Sequence, residues 1–526
     1  MFFVFSRKYF NDVFGMLDLS FSSLLKVILL ILCVGCLDFI SLSQLQNIMD
    51  ITVEGPEKNY SSSKTFLFML AIFLLINIAR AFISFISIRY IYSFSFKQQA
   101  YMFKELTKKA INRDFNSHRD LSHFNTLAKE HIRLITEQTV MAWLKIISEG
   151  IVLIIIFFFL LLNFPLITII SSFIMIFFLA IYLVSVSGKF QKYSKISAFE
   201  AEKSLSLLKS SYELNIEIIT TKTKSFFLNL VKLSQSNYAK AGTNAQSLQQ
   251  SSRYLIDITL IIIIFIILYS TEVSGIINQK FSNIVSIFAF AGIRALPALY
   301  QLIGNLSALR FSRKYVSDLS QIFKEPDRNN IDKKQLQKNL INNKYIIFEN
   351  YNWGQEYLKP QNLNLLIEPN TITIISGKSG SGKSTFLKSL IQYSSSSGNI
   401  FTKQNSSKKI VNLYSDIAYV GQHFTVFPGT IFDNIFMNQS INISKNYLNE
   451  MLISLNLIKN KSESSSFLEN NINENGSNFS GGELQRICVL RGLVQDKSIL
   501  CLDEPTASIS EKSSQDLLIF LQKNWI

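Results

Sequence analysis

The sequence predicts a six-span α-helical membrane domain followed by an α/β domain, and three observations carry that prediction. Apolar runs long enough to cross a bilayer fall within the first 303 of the 526 residues. Further on, an apolar run at 371–375 leads into the loop Gly377-Lys378-Ser379-Gly380-Ser381-Gly382-Lys383-Ser384-Thr385, and a helix-like stretch follows at 386–390. Between the two halves, residues 310–343 are polar and charged.

In chain order the spans fall at 24–45, 65–87, 146–164, 166–186, 255–269 and 281–303, the fifth being short as a bare run. The composition is 48% hydrophobic with 44 phenylalanines, more than a soluble chain of this charge needs. Core helices of a soluble protein are the alternative, and they fail for 151–162, an almost unbroken Ile/Leu/Phe run with no polar face. The connections 93–140 and 186–253 hold eight and ten Lys or Arg, whereas the other three hold Lys58, Lys64 and Lys280 between them. The long basic connections are therefore expected in the cytoplasm, with the N-terminus and the second domain. A net charge of +15 then reads as a basic cytosolic face beside anionic lipid, and no nucleic-acid partner is expected.

Residues 1–26 mix charge and aromatic rings without an apolar block or a small-residue cleavage site, so the first span is expected to stay as an anchor. Cys33 and Cys36 have metal-like spacing inside an apolar span but no second ligand pair, and Cys488 and Cys501 read as small buried hydrophobes. The membrane domain is assigned to 1–318, a connector to 319–344 and the second domain to 345–526. The serine patches 394–397 and 464–466 read as surface loops.

The chemistry lies in the second domain. In a loop of this pattern the glycines let backbone N–H groups curl around phosphates, Lys383 supplies charge, and the Ser384 hydroxyl ligates magnesium. The helix after the loop turns its N-terminus to the anion. Two further segments accompany it: Phe479-Ser480-Gly481-Gly482-Glu483, and an apolar strand at 498–502 ending in Asp503-Glu504.

Together these motifs resemble the ATP-binding cassette (ABC) family closely, and the two long inner connections resemble the exporter type, with membrane and ATP-binding domains fused. The resemblance implies a P-loop NTPase cassette with ATP and Mg2+ as cofactors. Gly377, Ser379, Gly380, Gly382, Lys383, Ser384 and Thr385 would hold the phosphates, while Ser480, Gly481 and Gly482 would cap the γ-phosphate held by the opposite subunit of a homodimer. Asp503 would hold magnesium with Ser384, and Glu504 would polarise the attacking water. Gln422 resembles the glutamine that senses magnesium and γ-phosphate, and Glu474 an acidic residue that touches the membrane domains. The membrane-domain turns that dock on cassettes would lie near 112–116 and 217–222.

Departures from the family are part of the reading. Ser510 stands where an aspartate is expected. The switch histidine should lie about thirty residues past Glu504, and none of His118, His123, His131 or His423 can replace it, so the cassette reads as incomplete at its C-terminal end. The adenine-stacking aromatic is open among the neighbours Trp353 and Tyr357, with Tyr357 preferred, because strict alignment places Gln355 there.

Arg80 and Arg294 sit inside apolar spans, where a charge costs about 2.5–3.5 kcal/mol on insertion scales. They either pair with Asp38 or Glu149 or snorkel, or they face a cavity and grip an anionic headgroup through bidentate contacts. The arginine pattern, with Lys222-Thr223-Lys224, resembles bacterial flippases of lipid-linked oligosaccharides. This implies transfer of an amphipathic anionic lipid from the inner to the outer leaflet of a bacterial inner membrane. Two rivals are an exporter of peptide, drug or another lipid, and a catalytically impaired ATP-binding membrane protein with a regulatory or assembly role.

Overall fold

The computed structural model describes the chain except for residues 1–6, 19–20, 54–62, 112–123, 274–278, 325–343, 354–361, 379, 392–395, 405–406, 411–412, 414–415, 423, 438–442, 496, 506–513, 516–517 and 523–526. It divides into two compact units, Met1–Arg328 and Asn329–Ile526.

The first unit is helical. A short helix α1 (Arg7–Phe14) precedes α2 (Phe21–Val53) and α3 (Ser63–Ile111). Two π-helical turns, Leu127–His131 and Thr136–Val140, lead into α4 (Met141–Asn163). Then come α5 (Pro165–Glu213), the one-and-a-half-turn α6 (Asn215–Thr220), α7 (Lys224–Val273) and α8 (Gln279–Lys324). Among the described residues six helical stretches are long and apolar enough to cross a membrane, and each contains or overlaps an expected span. At 1.5 Å per residue the 49 residues of α3 reach roughly 75 Å, more than twice the hydrocarbon thickness, so helices of this length extend well beyond the bilayer.

Polar pairs lock the packing of these long helices. Glu200 on α5 is buried and accepts hydrogen bonds from Ser234 Oγ at 2.8 Å and Asn237 Nδ2 at 3.1 Å on α7. Thr139, in the second π-turn, donates to Ser312 Oγ on α8 at 2.7 Å. The apolar core around them includes Met102, Ile135, Phe190, Ile256 and Tyr315. Helix α8 also corrects one boundary: it runs through Lys324, so residues 319–324, expected as connector, are helix. The cause is visible in Val316, Leu319 and Ile322, which repeat at helical spacing and are all buried. The turn around 217–222 contains α6, with Ile216 and Ile219 exposed, and the other expected docking turn, 112–116, lies outside the described residues.

The second unit opens with an antiparallel sheet, order β2-β1-β3-β4, formed by β1 (Tyr345–Trp353), β2 (Leu363–Ile367), β3 (Ser396–Gln404) and β4 (Ser407–Ile410). Helix α9 (Lys383–Leu390) packs on β1 through Phe386 and Leu390. A parallel pair, β5 (Ile417–Val420) and β8 (Ile499–Leu502), pairs Val420 with Leu502. Around it lie the two-stranded ribbon β6 (Gly429–Thr430) and β7 (Asn471–Ile472) and the helices α10 (Ile431–Phe436), α11 (Lys445–Ser454), α12 (Ser464–Glu469) and α13 (Gly481–Leu493). Ile431, Leu452, Ile487, Val489 and Leu490 fill the core between them.

Three expectations for this unit are corrected. The buried strand at 371–375 is not formed: among the described residues no ladder pairs this run, and Ile374 is 84% exposed. An apolar β-former becomes a strand only against a partner edge, which composition alone does not supply. Ser396 and Ser397 are not loop residues but begin β3, opposite Trp353 and Asn352. Ser464–Ser466 opens α12, because Phe467 and Leu468 behind it pack onto the core and draw the serines into the first helical turn.

Candidate functional site

The phosphate loop follows from its glycines. Gly380 and Gly382 take φ of +79° and +88°, a left-handed conformation that costs glycine nothing and other residues 1–2 kcal/mol or so. Gly382 is thereby the N-cap of α9, whose first turn holds Lys383, Ser384 and Thr385. The Lys383 ammonium arches back over the loop, donating to the carbonyls of Gly377 at 2.8 Å and Lys378 at 3.1 Å. Ser379 lies outside the described residues.

Residues far apart in sequence converge beside this loop. Ser384 donates to Asp503 Oδ1 at 2.9 Å, although 119 positions separate them. Asp503 sits one residue past β8, and its backbone N–H reaches the Val420 carbonyl at 2.9 Å, continuing the parallel pairing with β5. Its other carboxylate oxygen accepts from the Tyr419 hydroxyl at 3.1 Å. Gln422 Nε2 donates to Glu504 Oε2 at 2.8 Å, and Glu504 has a φ of +51°, which turns its side chain away from the strand direction. Hard oxygen donors, one carboxylate and one hydroxyl, suit Mg2+, which takes one or two carboxylates and completes its shell with phosphate and water.

The segment Ser480–Gly482 opens α13. Ser480 is its N-cap in a reciprocal box: the Glu483 N–H donates to Ser480 Oγ, and Glu483 Oε2 accepts from the Ser480 N–H at 2.8 Å and hydroxyl at 2.7 Å. Those hydrogen bonds, the backbone one first, hold the Glu483 carboxyl below its ordinary range. A Cβ placed on Gly481 would meet nothing within 4 Å, so the space beside this helix start is open. Gln485, one turn on, donates to the Pro505 carbonyl and ties α13 to the turn after Glu504.

Other expected residues distribute as follows. Glu474 begins a single 3-10 turn, Glu474–Gly476. Tyr357, Gln355, Ser510, His118, His123 and His423 lie outside the described residues. Trp353 is engaged with the phosphate loop: its indole N–H donates to the Gly382 carbonyl at 3.0 Å, and its ring meets Phe386 at 4.9 Å. Cys488 and Cys501 are buried, burial pushing both thiols up, that of Cys501 to about 12, in keeping with a packing role. Sequence reading gave Tyr419 and Gln485 no role. The period of β5 and of α13 points each toward the site, but only the fold supplies the partners.

In the helical unit, both intramembrane arginines meet at one carboxylate. Arg80 on α3 and Arg294 on α8 each pair with Asp38 Oδ1 on α2. Asp38 is 1% exposed, and Arg294 also donates to Asn77 Oδ1, whose amide reaches Ser41 Oγ at 3.1 Å. Pairing with Asp38 was one of the two readings of these arginines, and three helices are thereby tied at one point. Glu149 on α4 is within electrostatic reach of Arg80 and Asp38.

Comparison with known proteins places this architecture. Residues 360–507 match the ABC transporter family. The chain is 25% identical over 314 residues to ATP-dependent lipid A-core flippase 2 of Colwellia psychrerythraea, covering 59% of this chain and 54% of the relative. It is 34% identical over 173 residues to the ATP-dependent lipid A-core flippase of Photorhabdus laumondii, covering 31% and 29%. The matched stretches thus span about half the length of the first relative and less of the second. A solved bacterial Atm1-family ABC exporter with ATP bound superposes with a TM-score of 0.78 at 15% identity, over 96% of this chain and 89% of that one. Residues 360–507 thus carry an ABC transporter domain, and the chain shares the fold of an ABC exporter, with six membrane-length helices among the described residues followed by that domain in one polypeptide.

Proposed function

We propose that the chain is one half of an ATP-driven exporter that flips an amphipathic anionic lipid from the inner to the outer leaflet. The observation that carries the reading is the convergence of Ser384, Asp503, Gln422 and Glu504 beyond the carboxyl ends of β5 and β8, next to a helix N-terminus that presents N–H groups. In this reading Lys383 leaves its carbonyl partners for the phosphates, and Ser384 and Asp503 would hold Mg2+, whose charge would offset that of the transferring phosphoryl group. Glu504 accepts a proton from the attacking water, while Gln422 holds the Glu504 carboxylate in place. Ser480, Gly481 and Gly482 of a second copy close the site from the opposite side, making the working unit a homodimer. In this reading the cassette lies on the cytosolic side of a bacterial inner membrane, which the Lys and Arg bias of the long connections supports.

The cargo reading rests on Arg80 and Arg294, two guanidiniums that share the Asp38 carboxylate and carry more N–H donors than it can accept, which suits a phosphate or diphosphate headgroup. A lipid-linked oligosaccharide diphosphate fits this, and the names of the relatives favour a second phosphorylated lipid, of the lipid A-core kind. The test is ATPase and leaflet transfer by the full chain in nanodiscs and vesicles, titrated with a polyprenyl-diphosphate glycan, lipid A-core, a neutral glycolipid and a hydrophobic peptide. Stimulation by either phosphorylated lipid above the neutral one supports the reading and picks the cargo. Equal response to all four, or to the peptide alone, overturns it.

A further inference from the structure

We infer that Trp353 is a positioning residue of the nucleotide site, holding the phosphate loop in its binding shape through the carbonyl of Gly382. The inference rests on the reading that this loop takes ATP phosphates, and adds to it a residue that no loop motif contains.

Three observations support it. Trp353 is the last residue of β1, and its indole N–H donates to the Gly382 carbonyl at 3.0 Å. The same carbonyl accepts the first hydrogen bond of α9, from the Phe386 N–H at 2.8 Å, so it carries two donors. The ring is itself fixed, meeting Phe386 at 4.9 Å and stacking at 24° on Tyr351, whose hydroxyl is 2.9 Å from Ser389 Oγ on α9. Strand β1 therefore seats the phosphate helix on an aromatic wall and touches the loop's backbone with the wall's polar tip.

The consequence follows from peptide geometry. In the planar trans peptide joining Gly382 to Lys383, the carbonyl and the N–H point in opposite directions. Anchoring the Gly382 oxygen on the Trp353 side aims the Lys383 N–H away from it, toward the concave face where a phosphate would sit. Two donors on that oxygen also polarise the peptide and strengthen its N–H as a donor. Gly382, at φ +88°, has no side chain to restrain it, and a Cβ there would stand 3.2 Å from Trp353 Nε1, so the indole rather than the residue itself limits this hinge. A phenylalanine at 353 would keep most of the packing and lose the hydrogen bond.

The experiment compares the full chain with Trp353→Phe in nanodiscs, measuring dissociation constants for fluorescent ATP and ADP analogues and the thermal melting of each protein. We expect affinity for both nucleotides to fall by a common factor of roughly three to ten, the loss of one net hydrogen bond, with the melting temperature within about 2 °C of the parent. A second readout uses Trp353 as its own probe. With Trp143 and Trp525, the other two tryptophans, replaced by Phe, the remaining indole emission should shift on adding ATP. Unchanged affinity in Trp353→Phe overturns the inference. A weakened affinity accompanied by a melting temperature several degrees lower overturns it in favour of a packing role. If the parent chain binds neither nucleotide and Lys383→Ala makes no difference, the reading of the loop falls first, and the inference with it.

Discussion

Gln422 and Glu504 are hydrogen-bonded to each other at 2.8 Å, although 82 positions separate them and each stands just beyond a different strand of the parallel pair. The amide donates, so it holds the Glu504 carboxylate in a fixed orientation. It also fixes one Glu504 oxygen and leaves the other free to face an attacking water. The left-handed backbone of Glu504 is a sparsely populated conformation for a residue with a side chain, and such positions gather at sites where direction matters.

Glu504→Gln should therefore keep nucleotide affinity while lowering turnover by about 10²–10⁴, the usual contribution of a positioned base. Gln422→Ala, which frees the carboxylate but keeps it, should cost less. Equal losses in the two variants, or parental turnover in Glu504→Gln, would show that the proton goes elsewhere. Single-turnover hydrolysis by the full chain measures both.

Lys383→Ala should weaken ATP binding by about ten-fold or more, since charge-assisted hydrogen bonds contribute around 1.5–3 kcal/mol each. The ammonium now bonded to the Gly377 and Lys378 carbonyls is poised over the loop and needs only a side-chain rotation to exchange them for phosphate. Isothermal titration with ATP checks this, and unchanged affinity would remove the loop from the nucleotide site.

Features written in local sequence were the legible ones. The glycines of the phosphate loop and the long apolar runs each contain their own partner or need none, and they appear where the sequence puts them. The run 371–375 needs a neighbouring strand to become one, and its apolar residues could not reveal that it lacks a ladder. Trp353 enters the sequence reading only as a neighbour of Gln355 open for adenine stacking, with Tyr357 preferred, and nothing local shows that its N–H faces Gly382, 29 positions away. The arginines left two readings open for a similar reason: pairing depends on which helix lies beside which.

The Ser480–Glu483 box gives a dependence on pH. Glu483 titrates below its ordinary value of 4.5 in the folded chain, because the Ser480 N–H and hydroxyl bond its ionised form. Its contribution to stability is therefore full above about pH 4.5 and is lost as pH falls through the lower folded value. Glu483→Gln, which retains an acceptor without charge, should flatten this acid limb of cassette stability and cost about 1 kcal/mol or less at neutral pH. Thermal melting between pH 3.5 and 7 tests it, and parallel parent and variant curves would contradict it.

The last prediction follows from charge arithmetic at Asp38. One buried carboxylate faces two guanidiniums, so this paired trio carries one positive charge in excess, with Glu149 within electrostatic reach of Arg80. Removing either arginine leaves a balanced pair, whereas removing the carboxylate leaves two like charges together between apolar helices. Breaking a buried pair costs about 3–5 kcal/mol when a charge is stranded, so Asp38→Asn should lower the melting temperature more than Arg80→Gln or Arg294→Gln. Of the two arginines, Arg294 is the more buried and also bonds Asn77, and its loss should cost more. Adding Arg80→Gln to Asp38→Asn should recover part of the deficit, a non-additivity expected only of groups in direct contact. The same charges should read out in transport. If the excess positive charge receives an anionic headgroup, Arg80→Gln and Arg294→Gln will each reduce the increment of ATPase produced by a diphosphate lipid. Lys at either place will restore it only partly, because an ammonium cannot make the two parallel hydrogen bonds of a guanidinium. A full stimulated increment in the double Gln variant, with the predicted order of melting temperatures intact, would assign these arginines to helix packing and send the search for the cargo site elsewhere in the bundle.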